Sequence, residues 1–466
     1  MAKTVFWLVP VMLLAGCSMV PPYQPPTVPA AKSYRESAPW VKIDPDAERP
    51  SEKWWMGYDD PALDGLEQAL DQNQPTLAQA LARYDEAAAY ITDARAALYP
   101  HVGMEGIATK DRQSNQRPLR GSNQPDLYSA DTIDGGISYE VDIWGRVRAS
   151  VAAARANAQA AQANVAGVRL ALQGLIALNY ARLCGLDREA NVVRIAVSAY
   201  EQADQLTNRR YNGGIASKID IDRSGLQVAT AQEQLQEISA NRALTEHALA
   251  TLIGKSASEF SLPETQCALN LPPVTVGVPS LLLRYRPDLV EAERRVAATN
   301  DEIGVAKAAF FPSLTLGALG GFQNTGSLGL LSTPYSFWSI GPDLLFSVFD
   351  GGKRRAQLRL ARAQNAEATA IYRGRVLSAF QEVEDNLSQM RILEEEAKID
   401  TQALTTARDG QEQAMTRYVK GVSNYLDVIT AQTTSLAVER NNIDIAIRRF
   451  QSDVNLRTSL GGIEPK

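Results

Sequence analysis

Ala306-Lys307-Ala308-Ala309-Phe310-Phe311-Pro312-Ser313-Leu314-Thr315-Leu316-Gly317-Ala318 changes its periodicity at one residue. Pro312 lacks a backbone donor and pushes its predecessor toward extended geometry, so a helix running into it stops there. Beyond it Leu314, Leu316, Ala318, Gly320 and Phe322 alternate with Ser313, Thr315 and Gly317. A period of two gives a strand with one apolar and one polar face. The sequence therefore predicts a helix, a proline stop and an amphipathic strand.

The same passage stands 212 residues earlier, where Ala94-Arg95-Ala96-Ala97-Leu98-Tyr99-Pro100 precedes a second alternating run. Pro75-Thr76-Leu77 matches Pro287-Asp288-Leu289 at that separation, and Ala154-Arg155-Ala156 matches Ala361-Arg362-Ala363 at 207. Arg210-Tyr211 with Gly214 and Asp220 matches Arg417-Tyr418 with Gly421 and Asp427, again at 207. Four matches in one order mark an internal duplication, and the change in separation is a loop-length difference between the copies. The chain divides into a first repeat over 61–270, with two strands at about 101–143, and a second over 271–466, with two strands at about 313–349.

Three further segments carry the strand pattern. Ile133, Ile137, Tyr139 and Val141 alternate with Thr132, Asp134, Ser138, Glu140 and Asp142. Trp338, Ile340, Leu344, Phe346 and Val348 alternate with Ser339, Gly341, Asp343 and Ser347, and the weakest run is Val102–Lys110. A small soluble sandwich would also alternate. Carboxylates on the polar faces and aromatics gathered near strand ends (Tyr99, Trp144, Phe310, Phe311, Tyr335, Phe337, Trp338) fit a membrane barrel with a wet lumen better. The loops Asp111–Asp126 and Gln323–Pro334 then face outward.

After the strands, Trp144-Gly145 and Asp350-Gly351-Gly352 turn the chain into proline-free helices over about Arg146–Asn208 and Lys353–Thr416. Roughly 60 residues at 1.5 Å each extend about 90 Å, and a rod of that length must pair with other helices. Four strands per chain cannot enclose a watery lumen, because small membrane barrels begin at about eight. Three chains supply about twelve strands, which predicts a cyclic homotrimer; a dimer's eight strands would leave a lumen nearly filled by side chains. The fold class expected is mainly α with a small β-barrel.

The ends and the charge bound the setting. Lys3, the apolar run Val5–Leu14 and Leu14-Ala15-Gly16-Cys17 describe a secretory signal over 1–16, too short to span a membrane. A proline-rich tether follows over 17–60. The net charge of −6 and the absence of a long basic run argue against nucleic acid, and Arg354, Arg355, Arg359 and Arg362 read as solvated helix faces. Cys184 and Cys267 can bridge or remain two buried thiols. His101 and His247 lie far apart, no histidine or cysteine cluster suits a metal, and Gly254-Lys255-Ser256 lacks the upstream glycine of a phosphate loop, Leu249 standing there. No catalytic constellation is present in the sequence, so an enzyme is not expected.

The Leu-Ala-Gly-Cys ending resembles a bacterial lipobox, implying lipidation of Cys17, with Ser18 matching outer-membrane sorting. Together with Trp54-Trp55, Asp60-Pro61-Ala62-Leu63, Arg286-Pro287-Asp288-Leu289, Phe311-Pro312 and the paired Arg-Tyr-x-x-Gly segments, it makes the mature chain similar to the TolC/NodT outer-membrane factor family. The resemblance implies a trimeric exit duct: a twelve-stranded outer-membrane barrel on a helical periplasmic tunnel. It further implies docking to a periplasmic adaptor and to an inner-membrane pump of the resistance-nodulation-division class, with no cofactor beyond the lipid. A duct for protein secretion is the nearest alternative. A periplasmic coiled-coil lipoprotein that never spans the membrane would have no amphipathic strands.

Function is expected at the two helix reversals. Arg210, Tyr211 and Gly214, and Arg417, Tyr418 and Gly421, carry the glycines a tight turn needs, and Asp220 and Asp427 open the returning helices. Read alone, these are caps and turns. The resemblance implies that they close the periplasmic entrance, with Asp427 in an acidic ring, Arg417 and Tyr418 tying neighbouring tips, and Thr430 where a second acid can stand.

Overall fold

The computed structural model describes residues 18–28, 33–36, 41–42, 49–50, 53–114, 116, 125–264, 267, 269–273, 275–276, 282–325 and 329–464. The signal segment 1–16 and Cys17 lie outside them. There are two compact units. The first comprises Arg83–Gln162, Glu291–Arg373 and the described part of Met1–Thr27; the second comprises Ala163–Val290, Gly374–Lys466 and the described part of Val28–Ala82.

Helices α2 (Pro75–Ala96) and α5 (Pro287–Ala308), which belong to the first unit from Arg83 and Glu291 onward, lead to Pro100 and Pro312. Strands β1 (His101–Arg112), β2 (Leu127–Val141), β3 (Ser313–Asn324) and β4 (Ser336–Leu345) follow and form one antiparallel sheet in that order. Helix α1 (Pro61–Asn73) precedes them, and the long helices are α3 (Arg146–Asn212), α4 (Lys218–Leu252), α6 (Lys353–Val419) and α7 (Tyr425–Ser459).

Partners across a ladder share a face, so the register decides how the alternations combine. Ile133 opposes Phe322, Ile137 opposes Ala318, and Ala318 opposes Ile340, while Leu314 opposes Leu344. Val102 and Met104, opposite Ile137 and Gly135, extend the same apolar face to β1. On the other face Glu105 opposes Asp134, and Thr315 lies between Glu140 and Asp343. The apolar face is bare: Met104, Trp338 and Ile340 are 86%, 78% and 75% exposed. Four separate alternations thus merge into one sheet, apolar on one side and acidic on the other. One detail differs from the sequence reading: β4 ends at Leu345, so Phe346 and Val348 lie beyond it. Its last partner is Ser313, and the residue before Ser313 is Pro312, which has no N–H to continue the ladder.

The turn into α3 is fixed by its own side chains. Asp142 accepts from the N–H groups of Val147 and Arg148, Arg146 pairs with Glu140 at 2.6 Å, and the Trp144 indole donates to the Pro312 carbonyl while stacking on Phe311 at 4.5 Å. The segment from Ser18 lies along α5 as an extended strap. Asn300 donates to the Pro21 carbonyl, Tyr23 donates to Glu293, and the missing Cβ of Gly304 leaves room for Val20.

The second unit packs around Trp54, Tyr58, Leu63, Leu70, Ile176 and Phe450, all at most 1% exposed. Asp60 explains its tetrapeptide: it caps α1 through Ala62 and Leu63, Pro61 opens the helix, and Tyr180 donates to its other oxygen at 2.8 Å. Arg286 explains the other motif, since its guanidinium pairs with Asp288 at 2.9 Å and Glu382 at 2.5 Å and donates to the Ser459 carbonyl. Gly254, of the Gly-Lys-Ser triplet, turns α4 off with φ 71, and a Cβ there would meet the Asn73 carbonyl oxygen at 2.4 Å. Cys184 and Cys267 are joined in a disulfide with Cα atoms 5.7 Å apart. No helix among the described residues is long and apolar enough to cross a membrane, and no acidic or histidine cluster there could hold a metal.

Candidate functional site

Both helix reversals lie in the second unit and are built alike. At the end of α3, Gly214 has φ 73, its N–H meets the Tyr211 carbonyl at 2.9 Å, and the Ile215 N–H meets the Arg210 carbonyl at 2.8 Å. At the end of α6, Gly421 has φ 76, with the same bonds from Gly421 to Tyr418 at 2.9 Å and from Val422 to Arg417 at 3.0 Å. This is a glycine-terminated helix end, written twice. The returning helices are capped differently. Asp220 accepts from both the N–H and the hydroxyl of Ser217, whereas at the other reversal Asn424 accepts from the Asp427 N–H.

The difference frees one carboxylate. Asp220 is spent on its cap; the side chain of Asp427 is exposed and meets no partner among the described residues. The tyrosines diverge as well: Tyr211 is 41% exposed, but Tyr418 is 3% exposed. Tyr418 packs with Tyr425, Val428 and Ala203, its ring 5.5 Å from that of Tyr425. Thr207 donates to the Ala203 carbonyl, which leaves its oxygen to accept from the Tyr418 hydroxyl at 3.0 Å.

Arg210 ties the two reversals together. Its guanidinium donates to the carbonyls of Tyr418 at 2.6 Å and Val419 at 3.1 Å and lies 4.2 Å from the centre of the Tyr418 ring. It closes the final turn of α6 by supplying donors to carbonyls that a helix end leaves unpaired. The intrachain tie thus runs through Arg210 and Tyr418, and Arg417 stands exposed. A second polar group lies beneath it, where Ser224 donates to Asp204 and the Asn208 amide donates to the same side chain. Burial, then the charge of Asp204, raises the Tyr425 phenol well above its ordinary pKa, and its hydroxyl has no partner among the described residues. Asp204, Thr207, Ser224 and Tyr425 carried no motif; only the packing of three helices brings them together.

A residue in α1 also escaped the sequence reading. Glu67 occupies the core stripe with Leu63, Leu66 and Leu70, is 1% exposed, and has neither oxygen partnered among the described residues. Burial, then the nearby charges of Asp71 and Asp64, pushes its carboxyl up to about 9.

A model of a known family, described as outer membrane efflux protein, matches residues 66–255 and 278–462. The chain belongs to that family. The two matched stretches fall one in each repeat. Outer membrane protein OprJ of Pseudomonas aeruginosa is 30% identical across 97% of this chain and 94% of its own. Nodulation protein T of Rhizobium leguminosarum bv. trifolii is 29% identical across 94% and 92%. The solved outer-membrane channel OprN superposes with a TM-score of 0.87 at 25% identity, covering 95% of this chain and 99% of that one. This outer membrane efflux protein is therefore an exit duct of the outer membrane, with a small strand barrel and a large helical portion in the periplasm. The resemblance read from the lipobox, the Arg-Pro-Asp-Leu motif and the paired reversals named the right family.

Proposed function

We propose that the duct is a homotrimer anchored by lipid on Cys17, that it serves an inner-membrane pump of the resistance-nodulation-division class through a periplasmic adaptor, and that its helix reversals form a closable entrance. The observation that carries the gate is Arg210 held between two carbonyls and the Tyr418 ring. A charged donor shared by two helix ends is a discrete contact that an open state has to give up. Asp427 supports the electrostatic half of the reading: three free carboxylates about one axis repel one another, attract cations and turn anions away. An adaptor opens such an entrance by binding the open arrangement better than the closed one.

The Arg210 contacts, half exposed to solvent, are worth about 2 kcal/mol per chain. Arg210→Ala with Tyr418→Phe is therefore expected to raise the open-to-closed ratio about thirtyfold per chain. Single-channel recording in planar bilayers reads this as a higher open probability, and Asp427→Asn lowers the preference for cations. Unchanged conductance and selectivity in correctly assembled protein would remove the gate and leave the duct standing.

A further inference from the structure

The first turns of α6 carry a charge pattern that neither the duct nor the gate uses. Arg355, Arg359 and Arg362 recur at helical spacing on one exposed stripe, with Lys353 at the start of the same helix. No carboxylate pairs with any of the four among the described residues. Their neighbour Arg354 is different: it pairs with Asp350 at 2.6 Å and donates to the Ser347 carbonyl, and that pairing holds the Asp350 carboxyl down to about 2. The first repeat carries the pattern only in part, with Arg155 standing where Arg362 does. At the matching positions Arg148 is paired with Asp142, and Ala152 stands where Arg359 does. Lys353 and Arg355, in the first turn, are also opposed by the helix dipole, which an anion there would offset.

Two further observations say what that anion is. The arginines border an open concavity of ≈ 750 Å³ whose floor is the Asp350-Gly351-Gly352 turn. Directly before that turn, Phe346, Val348 and Phe349 are 50%, 87% and 89% exposed, continuing the apolar character of the sheet past its last ladder partner. Exposed apolar side chains directly before the turn and unpaired arginines directly after it make this an amphipathic segment at the end of a membrane strand, where acyl chains give way to headgroups. We infer that this surface binds an anionic phospholipid of the periplasmic leaflet, its phosphate on Arg355, Arg359 and Arg362 and its acyl chains against Phe346, Val348 and Phe349. The guanidinium fork suits phosphate oxygens, and the Asp350 carboxylate, already engaged by Arg354, does not compete for it. The inference rests on the membrane-spanning sheet and is independent of the gate.

The test uses the full-length protein, purified and returned to nanodiscs of phosphatidylglycerol mixed with phosphatidylcholine. Native mass spectrometry counts the phosphatidylglycerol that stays bound on release from the disc. Wild-type protein is expected to retain it in preference to phosphatidylcholine, and the triple variant Arg355→Gln, Arg359→Gln, Arg362→Gln to lose that preference by about tenfold or more. The triple lysine variant keeps most of it, and circular dichroism confirms that both variants are folded. Equal retention by wild type and the glutamine variant overturns the inference. So does an altered ion selectivity in planar bilayers with lipid retention unchanged, because the stripe would then line the water path.

Discussion

Replacing Cys184 and Cys267 together by alanine is expected to lower the stability of the helical part by on the order of 4 kcal/mol, the chain-entropy value for a loop of this length. The two cysteines are 83 residues apart, and the loop they close contains the end of α3, the first reversal and all of α4. Without the bond, that loop is free in the unfolded chain and has to be closed again on folding. The segment after α4 loses its covalent hold but keeps others. Arg242 donates to the Leu262 carbonyl at 2.8 Å and pairs with Asp187 at 2.6 Å, while Arg188 donates to the Cys267 carbonyl. Loosening should therefore begin locally. Limited proteolysis is expected to cut between Gly254 and Pro273 in the reduced or substituted protein before the helices melt. The urea midpoint of the helical ellipticity falls afterwards. Identical midpoints and identical digestion for oxidised and reduced protein would show that the bond does not form in the folded molecule.

Glu67→Leu is expected to act in the opposite direction, stabilising the protein by about 3 kcal/mol per chain at neutral pH. The sign follows from the shift. The carboxyl is raised from 4.5 to about 9 in the folded chain, so folded protein holds a proton there that unfolded protein releases. Below pH 4.5 both states are protonated and the site costs nothing as a charge. As the pH rises toward 9 the unfolded state is favoured progressively, and the stability present in acid is lost. Leucine removes the titration and places an apolar side chain among Leu63, Leu66 and Leu70. Thermal unfolding across pH 5 to 9 (the range between the two pKa values) should show a falling midpoint in the wild type and a flatter one in the variant. Parallel curves would mean that Glu67 has a partner in the assembled duct.

The part of this architecture that was legible in the sequence was whatever repeats locally. Proline at 100 and 312 stopped two helices, and alternation around Ile133, Leu316 and Ile340 separated the faces of the sheet before any register was known. Glycine at 214 and 421 marked the reversals because only a left-handed residue finishes those helix ends. What stayed hidden depends on neighbours distant in the chain. Tyr211 and Tyr418 occupy equivalent positions in the duplication, yet one is exposed and the other buried, because Arg210 reaches over from the other copy. Glu67 carried no motif, and the two thiols gave no sign of whether they would meet. The basic stripe on α6 read as a solvated face, and its lack of carboxylates becomes visible only when its surroundings are known.

The four-stranded sheet supplies a third of a closed barrel. Strands β1 and β4 are its edges within one chain, and an open edge cannot be satisfied in lipid. Native mass spectrometry of detergent-extracted protein from the outer-membrane fraction tests this most directly. A single species of about 150 kDa, three times the 50.7 kDa chain, is expected, and it survives high salt. A monomer or a dimer as the stable membrane-extracted species would contradict it.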